Sequence, residues 1–174
     1  MRYVKISRGR DGNTLDATGY LDALGAFAER LPPGARAFAT DPQHYDLFGG
    51  RCVKDLKPVA LTLGDGDGDG DGRAWAELRL QHHCWKHEED LTIRYSGVRS
   101  VVADPDGAET DVRSLRDVML DEVLPHGQGC SHEIAFLAGS MTIVADDLVA
   151  TWDAADCADR QALSRAAGPP SAAS

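Results

Sequence analysis

Residues 130–152 carry the clearest alternation of apolar and polar positions in the chain. On both sides of a small turn at Ala138–Gly139, every second side chain is apolar: Ile134, Phe136, Met141 and Ile143. A period of two around a glycine is typical of a β-hairpin with one buried face. Gly139 can adopt the positive φ that a tight hairpin turn requires. The pattern therefore predicts two antiparallel strands, and residues 148–152 predict one more.

The same period predicts strands earlier in the chain, at residues 59–63, 76–80 and 91–95. Between the first two lies GDGDGDGDG, residues 64–72, which is typical of a flexible connecting loop. After Gly97 the apolar positions at 98–102 fall out of phase, which indicates a β-bulge. Residues 112–124 fit either a helix or a strand. We prefer a strand over 117–124, because sequential strands of a meander lie side by side.

A helical period is clearest over residues 19–31, where Leu21, Leu24, Phe27 and Leu31 share one face. Thr18 can cap the start of this helix, and Pro32–Pro33 end it. A short helical turn at 35–40 and a short first strand at 3–6 complete the N-terminal part. The elements predict an α+β fold, with an antiparallel sheet of about six to seven strands in meanders and hairpins and the helical segment on one face.

The length of 174 residues suits a single domain with one core. We expect residues 1–152 to form that domain. The last residues, AAGPPSAAS, contain only small residues and proline. We therefore expect residues 153–174 to be a disordered tail.

The charge and the apolar runs limit the classes of partner and the compartment. The net charge is −10, whereas contacts to phosphates need clustered Lys and Arg, so we expect no nucleic-acid binding. No apolar run approaches the ~20 residues that span a bilayer, and no apolar stretch follows the basic N-terminus. We therefore expect a cytoplasmic protein that does not enter a membrane. The cysteines form no Cys-x-x-Cys pair, and reduced thiols are expected.

Histidine and cysteine concentrate in two loops of the predicted sheet, at residues 82–87 and 126–132. Zinc takes four such ligands in a tetrahedron. One candidate set is Cys84, His87, Cys130 and His132. The spacing of neither pair is that of a standard zinc knuckle, and loops at a sheet edge gather polar residues in any case. The sequence therefore favours no cofactor and keeps zinc as the alternative.

Four titratable side chains lie on two segments that are expected to pair as strands: Asp121, Glu122, His132 and Glu133. A carboxylate facing an imidazole can act as a general acid or base in a cleft. Alternation sends neighbouring residues to opposite faces, and polar pairing on the solvated face is the more common outcome. No complete catalytic set is present, so the sequence favours a protein that is not an enzyme. A hydrolase-like enzyme using the histidine- and cysteine-rich loops remains an alternative.

The candidate binding surface lies around two tryptophans. Trp75 opens a predicted strand on the side away from its apolar neighbours, and Trp85 lies in a charged loop. Exposed tryptophans with a charged rim are typical anchors of protein interfaces. The alternative for Trp85 is that its ring folds back over the edge of the sheet. The candidate residues are Trp75, Trp85, Glu88 and Glu89.

Two short motifs resemble those of small bacterial immunity proteins from polymorphic toxin systems and of neighbouring uncharacterised families. The first is LxIxYxGV, formed by Leu91, Ile93, Tyr95, Gly97 and Val98, and the second is HEIxF, formed by His132, Glu133, Ile134 and Phe136. The resemblance covers less than half of the chain and transfers no individual site residue. It implies a protein that binds and neutralises a toxin without a cofactor or catalysis. The net charge of −10 would suit a basic toxin as partner.

Overall fold

The computed structural model describes residues 1–9, 12–66, 72–107 and 111–157. Within these residues the chain forms ten strands and two α-helices, consistent with an antiparallel α+β protein. The elements are β1 (Lys5–Gly9), β2 (Gly12–Asp16), α1 (Thr18–Phe27), α2 (Pro33–Ala39), β3 (Lys57–Gly64), β4 (Trp75–Gln81), β5 (Glu89–Ser96), β6 (Ser100–Pro105), β7 (Val118–His126), β8 (Gly129–Phe136), β9 (Gly139–Ala145) and β10 (Asp147–Ala154). Two 3₁₀ helices cover Ala28–Arg30 and Val112–Leu115.

The strands form two four-stranded antiparallel sheets and one separate hairpin, rather than the single sheet of six to seven strands that was predicted. The first sheet has the order β10-β5-β4-β3, and the second has the order β6-β9-β8-β7. The hairpin is β1–β2. Apolar side chains from both large sheets belong to one buried core. The sheets therefore face each other, and the core lies between them.

The two sheets are separate because the chain bends sharply at two neighbouring points, Gly97 between β5 and β6 and Asp146 between β9 and β10, which together form one corner. Gly97 has a φ of 60°, and a Cβ placed on it would lie 2.1 Å from a carboxylate oxygen of Asp146. The Asp146 amide donates hydrogen bonds to the carbonyls of Ser96 and Gly97, at 2.9 and 3.2 Å. On one side of this corner β5 pairs with β10, and on the other β6 pairs with β9. The phase shift at Gly97 thus marks a change of sheet, and not a bulge within one sheet.

Several elements predicted from the sequence are confirmed. β8 and β9 form the predicted hairpin, in which Gly139 has a φ of 138°. The predicted helix over 19–31 corresponds to α1 followed by the first 3₁₀ helix. In the ambiguous segment 112–124, both periods occur in succession, because the second 3₁₀ helix precedes β7. The predicted cap is wrong, since Ala17 is the N-cap of α1 and makes no side-chain hydrogen bond.

The helical segment covers an open edge of the sandwich instead of one sheet face. α2 contacts both β10 and β7, which belong to different sheets. At its first turn, the amides of Gly34 and Ala35 donate hydrogen bonds to the Asp147 carboxylate, at 3.0 and 2.8 Å. Gly34 is required here, because a Cβ would lie 2.0 Å from the Leu148 carbonyl oxygen. The helix is therefore held against the start of β10.

Some predicted segments extend beyond the described residues. The glycine-rich loop is described only at its two ends, and residues 158–174 of the predicted tail lie outside the described ranges. β10 continues to Ala154, two residues past the predicted domain boundary, and Cys157 is buried. In the part of the chain that is described, no helix has the length and apolarity needed to cross a membrane.

Candidate functional site: a buried polar network and an acidic loop surface

Four polar side chains meet in the core between the sheets. Asp121 lies on β7, and His44 reaches it from the loop after α2. Nε2 of His44 lies 2.7 Å from Oδ1 of Asp121. Its other oxygen lies 2.8 Å from Nε2 of His132 on β8. Nδ1 of His132 lies 2.7 Å from the hydroxyl of Tyr95 on β5 of the opposite sheet. The network therefore joins both sheets and the helical segment.

The partners of each nitrogen determine where the protons lie. Nδ1 of His44 faces the Phe38 carbonyl at 2.8 Å, and a carbonyl only accepts, so this nitrogen carries a proton. Nε2 of His44 faces a carboxylate, so one further proton lies between His44 and Asp121. Nε2 of His132 faces the other oxygen of Asp121, so this nitrogen also carries a proton, and Nδ1 lies against the Tyr95 hydroxyl, which can donate or accept. The network thus holds one proton that is shared between His44 and Asp121.

Burial and attraction act in opposite directions on these groups. Burial lowers the pKa of His44, but the negative charge of Asp121 and its hydrogen bond outweigh burial, and the pKa is raised. Burial raises the pKa of Asp121, but the charge of His44 and the hydrogen bonds from His132 and His44 bring it far below its usual range. Burial and the nearby Asp121 raise the pKa of Tyr95 well above 10. His44 and Asp121 therefore form a buried ion pair.

The network is structural, because no substrate can reach it. His44, Asp121 and His132 are each 1% exposed. A carboxylate and an imidazole on these two strands do lie together, as predicted. The expectation that they would pair on the solvated face is wrong, because both are buried. Both Asp121 and its neighbour Glu122 are buried, since β7 is covered on both sides.

Glu122 holds the N-terminal segment against β7. Its two carboxylate oxygens accept hydrogen bonds from the backbone amides of Arg2, Tyr3 and Val4, at 2.7, 2.6 and 2.8 Å. A buried carboxylate needs such donors to offset its desolvation. Glu122 is therefore occupied by the backbone and is not a candidate acid or base for chemistry.

Two of the four predicted zinc ligands are used elsewhere, and a third is a buried thiol. The nitrogens of His132 both belong to the buried network. His87 donates from Nε2 to the Cys52 carbonyl at 3.0 Å and accepts the His83 amide at Nδ1, at 3.2 Å. Burial raises the pKa of the Cys130 thiol to about 12, which opposes the thiolate form that metals bind. The structure therefore does not bring Cys84, His87, Cys130 and His132 together as one site.

Cys84 instead lies beside His82 and Cys157. A ring nitrogen of His82 and the two Sγ atoms all lie within 4.8 Å of one another, and among the described residues no other group of three or more potential metal ligands lies as close. Sequence reasoning missed this group for two reasons. His82 was not distinguished from three nearby histidines and cysteines, and Cys157 was assigned to the tail. We refer to these three residues below as the His–Cys–Cys group.

The same end of the molecule carries exposed aromatic side chains. Phe48 is 96% exposed and Trp85 is 66% exposed. They lie in two loops that pack together, because a Cβ on Gly50 would be 3.9 Å from the Lys86 carbonyl. We call this surface, residues 41–56 and 82–90, the acidic end. It contains six carboxylates and three Lys or Arg residues.

The other predicted surface residues have different surroundings. Trp75 is half-buried, and the Arg94 guanidinium lies 5.2 Å from the centre of its ring. Glu88 is exposed at the acidic end. Glu89 is half-buried there and accepts two hydrogen bonds from Arg51, at 2.6 and 2.7 Å. Trp85 and Glu88 are therefore the two predicted residues whose side chains are exposed to solvent.

A cleft of about 400 Å³ adjoins the acidic end, between α2 and β10. Phe38, Val149 and Trp152 supply apolar walls, and Asp41 and Arg51 supply the charged groups. Arg51 lines this cleft and also pairs with Glu89, so the cleft and the acidic end form a continuous surface.

No protein-family model, no curated protein and no solved structure matches this chain. Its function must therefore be argued from the geometry of its own residues.

Proposed function

We propose that the protein acts by binding a basic protein partner through the acidic end. The observation that carries the proposal is the exposure of two large aromatic side chains, Phe48 and Trp85, on adjoining loops. Aromatic anchors contribute most of the binding energy in many interfaces. Exposing two of them to water has no benefit for the folded monomer, since burial of apolar surface stabilises proteins.

The acidic end is held in one conformation by contacts between its two loops. Two hydrogen bonds join Arg51 to Glu89. Nζ of Lys86 donates to the Lys54 carbonyl at 2.9 Å, and His87 donates to the Cys52 carbonyl. A surface that is already ordered loses less conformational entropy when it binds. These contacts therefore favour a recognition surface over a mobile loop.

The charge of this surface selects the class of partner. The acidic end has three more carboxylates than Lys and Arg side chains, and the whole chain carries a net charge of −10. Opposite charge on a partner accelerates association and excludes acidic competitors. The partner would present basic side chains around an apolar recess that receives Trp85. An immunity protein that blocks a basic toxin is the specific form of this proposal, and it involves no catalysis.

The test is comparative capture from a lysate of the source organism. The bait proteins are the wild type, a W85A/F48A double variant and V102A, which removes another exposed apolar side chain, 59% exposed, from β6. We expect a basic protein on the wild type and on V102A, and its loss from the double variant. With that partner purified, each aromatic truncation should weaken binding by about tenfold or more.

A growth assay separates the immunity role from other kinds of binding. If the captured partner is a toxin, its expression should stop growth, and co-expression of the wild type should restore growth. Co-expression of W85A/F48A should fail to do so. The proposal is refuted if no basic protein distinguishes the wild type from the double variant.

A further inference from the structure

We propose that His82, Cys84 and Cys157 form a zinc-binding site. This inference goes beyond the proposed binding function and does not depend on it. It rests on the positions of three donor atoms, on the hydrogen bonds of His82 and on the strand pairing that brings Cys157 to the other two residues.

The strand order assembles the site from two distant parts of the chain. His82 and Cys84 lie in the turn between β4 and β5. β10 pairs with β5, so that Asp153 lies opposite Asp90 and Ala154 opposite Glu89. The pairing continues past the strand end, because the Ala155 amide donates to the Glu88 carbonyl at 2.9 Å. The residues that follow Ala155, up to buried Cys157, therefore run beside the turn between β4 and β5.

The distances between the donor atoms are close to those of a zinc site. With Zn–S near 2.3 Å and Zn–N near 2.0–2.1 Å, tetrahedral geometry separates the ligand atoms by roughly 3.5–3.8 Å. Nε2 of His82 lies 3.3 Å from Sγ of Cys84, and a ring nitrogen of His82 and the two Sγ atoms lie within 4.8 Å of one another. Adjustments of about 1 Å or less, within the reach of side-chain rotation, would bring the three atoms around one ion.

The hydrogen bonds of His82 direct a lone pair toward Sγ of Cys84. Nδ1 lies 2.6 Å from Oδ1 of Asp90, and the same oxygen accepts the His82 backbone amide at 2.8 Å. A carboxylate accepts, so the proton of neutral His82 lies on Nδ1 and the lone pair on Nε2. A carboxylate that orients a histidine in this way is a usual partner of histidine ligands in metal sites. His87 and His132 lack this arrangement, because both of their nitrogens are engaged elsewhere.

The donor set selects the metal. One imidazole and two thiols suit borderline and soft ions, and they exclude Mg²⁺ and Ca²⁺, which require oxygen ligands. Two cysteines and one histidine bind Zn²⁺ in known proteins, with water in the fourth position. The ion would tie the end of β10 to the β4–β5 turn. Because Trp85 follows Cys84 directly, the bound ion would also restrain the loop that carries the Trp85 side chain.

The test is a metal-binding measurement on the full chain without a polyhistidine tag. Protein kept reduced is equilibrated with Zn²⁺, separated from free ion by size exclusion and analysed by mass spectrometry for metal. We expect about one equivalent in the wild type and less than about a tenth of an equivalent in C84S and in C157S. C130S is the matched control, because it removes a buried thiol that the sequence had suggested as a ligand, and it should retain about one equivalent.

Competition with a chromophoric chelator gives the affinity of each variant. D90N keeps all three ligands but weakens the orientation of His82, and it should lower the affinity by roughly 10- to 100-fold. Circular dichroism confirms that each variant is folded, and C52S replaces C130S as the control if C130S is not. The site is refuted if the wild type binds less than about a tenth of an equivalent, or if C157S binds as much as the wild type.

Discussion

Replacement of Asp121 tests whether the buried network stabilises the fold as an ion pair. Two substitutions separate charge from hydrogen bonding. D121A removes both acceptor oxygens from His44 and His132. D121N keeps one acceptor and adds one donor at nearly the same positions, so the two variants differ mainly in what they leave unpaired.

The expected losses follow from the protons of the network. In D121A, His44 and His132 lose their partner at Nε2, and breaking a buried ion pair by removing one member costs about 3–5 kcal/mol. In D121N, the amide oxygen accepts from His132 and the amide group donates to Nε2 of a neutral His44, so no buried group is orphaned. Two charge-assisted hydrogen bonds become neutral ones, at about 1 kcal/mol each. D121N should therefore lose no more than about 2 kcal/mol.

The pH dependence gives a second, independent readout. The pKa of His44 is raised from 6.5, so its contribution to stability is complete below pH 6.5 and is lost as the pH rises through the raised pKa. The pKa of Asp121 is lowered from 3.8, so its contribution is present above pH 3.8 and is lost as the pH falls. The destabilisation by D121A should therefore be larger at about pH 6 than at about pH 9.

The assay is urea unfolding followed by circular dichroism at both pH values. Differences between variant and wild type cancel the titration of groups that they share. The interpretation is refuted if D121A lies within about 1 kcal/mol of the wild type, or if D121N is as destabilised as D121A. A destabilisation by D121A that grows between the lower and the higher pH would also contradict a charged His44.

Two further predictions concern the corner and the N-terminal segment. G97A should lower the free energy of unfolding in urea by about 2–4 kcal/mol, because it combines a positive φ with overlap against Asp146. The control G25A, whose new methyl group meets open space in α1, should stabilise the fold by up to about 1 kcal/mol. Equal effects of the two variants would contradict the close fit of Gly97 against Asp146. E122Q loses one acceptor for the amides of residues 2–4, so their hydrogen exchange should accelerate by an amount equivalent to about 1–3 kcal/mol. The control E29Q, at an exposed position, should leave the exchange of these amides unchanged. If the amides of residues 2–4 exchange as slowly in E122Q as in the wild type, Glu122 does not hold the N-terminal segment.

The candidate site was only partly predictable from the sequence. Trp85 was found as a candidate because it lies in a charged loop, but only the tertiary structure decided between exposure and packing over the sheet edge. Cys84 was also found, but it was grouped with residues that the structure does not place beside it. A histidine is available to a metal only if one nitrogen keeps its lone pair, and that depends on contacts such as Asp90 with His82 or Cys52 with His87. Phe48 was missed, because a single aromatic in an irregular loop has no periodicity.

The local elements of this protein were determined by the sequence itself. Alternation at period two specified β8, β9 and β10, and the apolar face of residues 19–31 specified the first helix, because both patterns depend only on near neighbours in the chain. The number of sheets was decided by tertiary structure, at a corner where Gly97 and Asp146, 49 positions apart, must fit together. The burial of Asp121 and the meeting of Cys157 with His82 were decided in the same way. A polar side chain is stable in the core only when its partners arrive from other strands, and no local pattern records which strands will be neighbours.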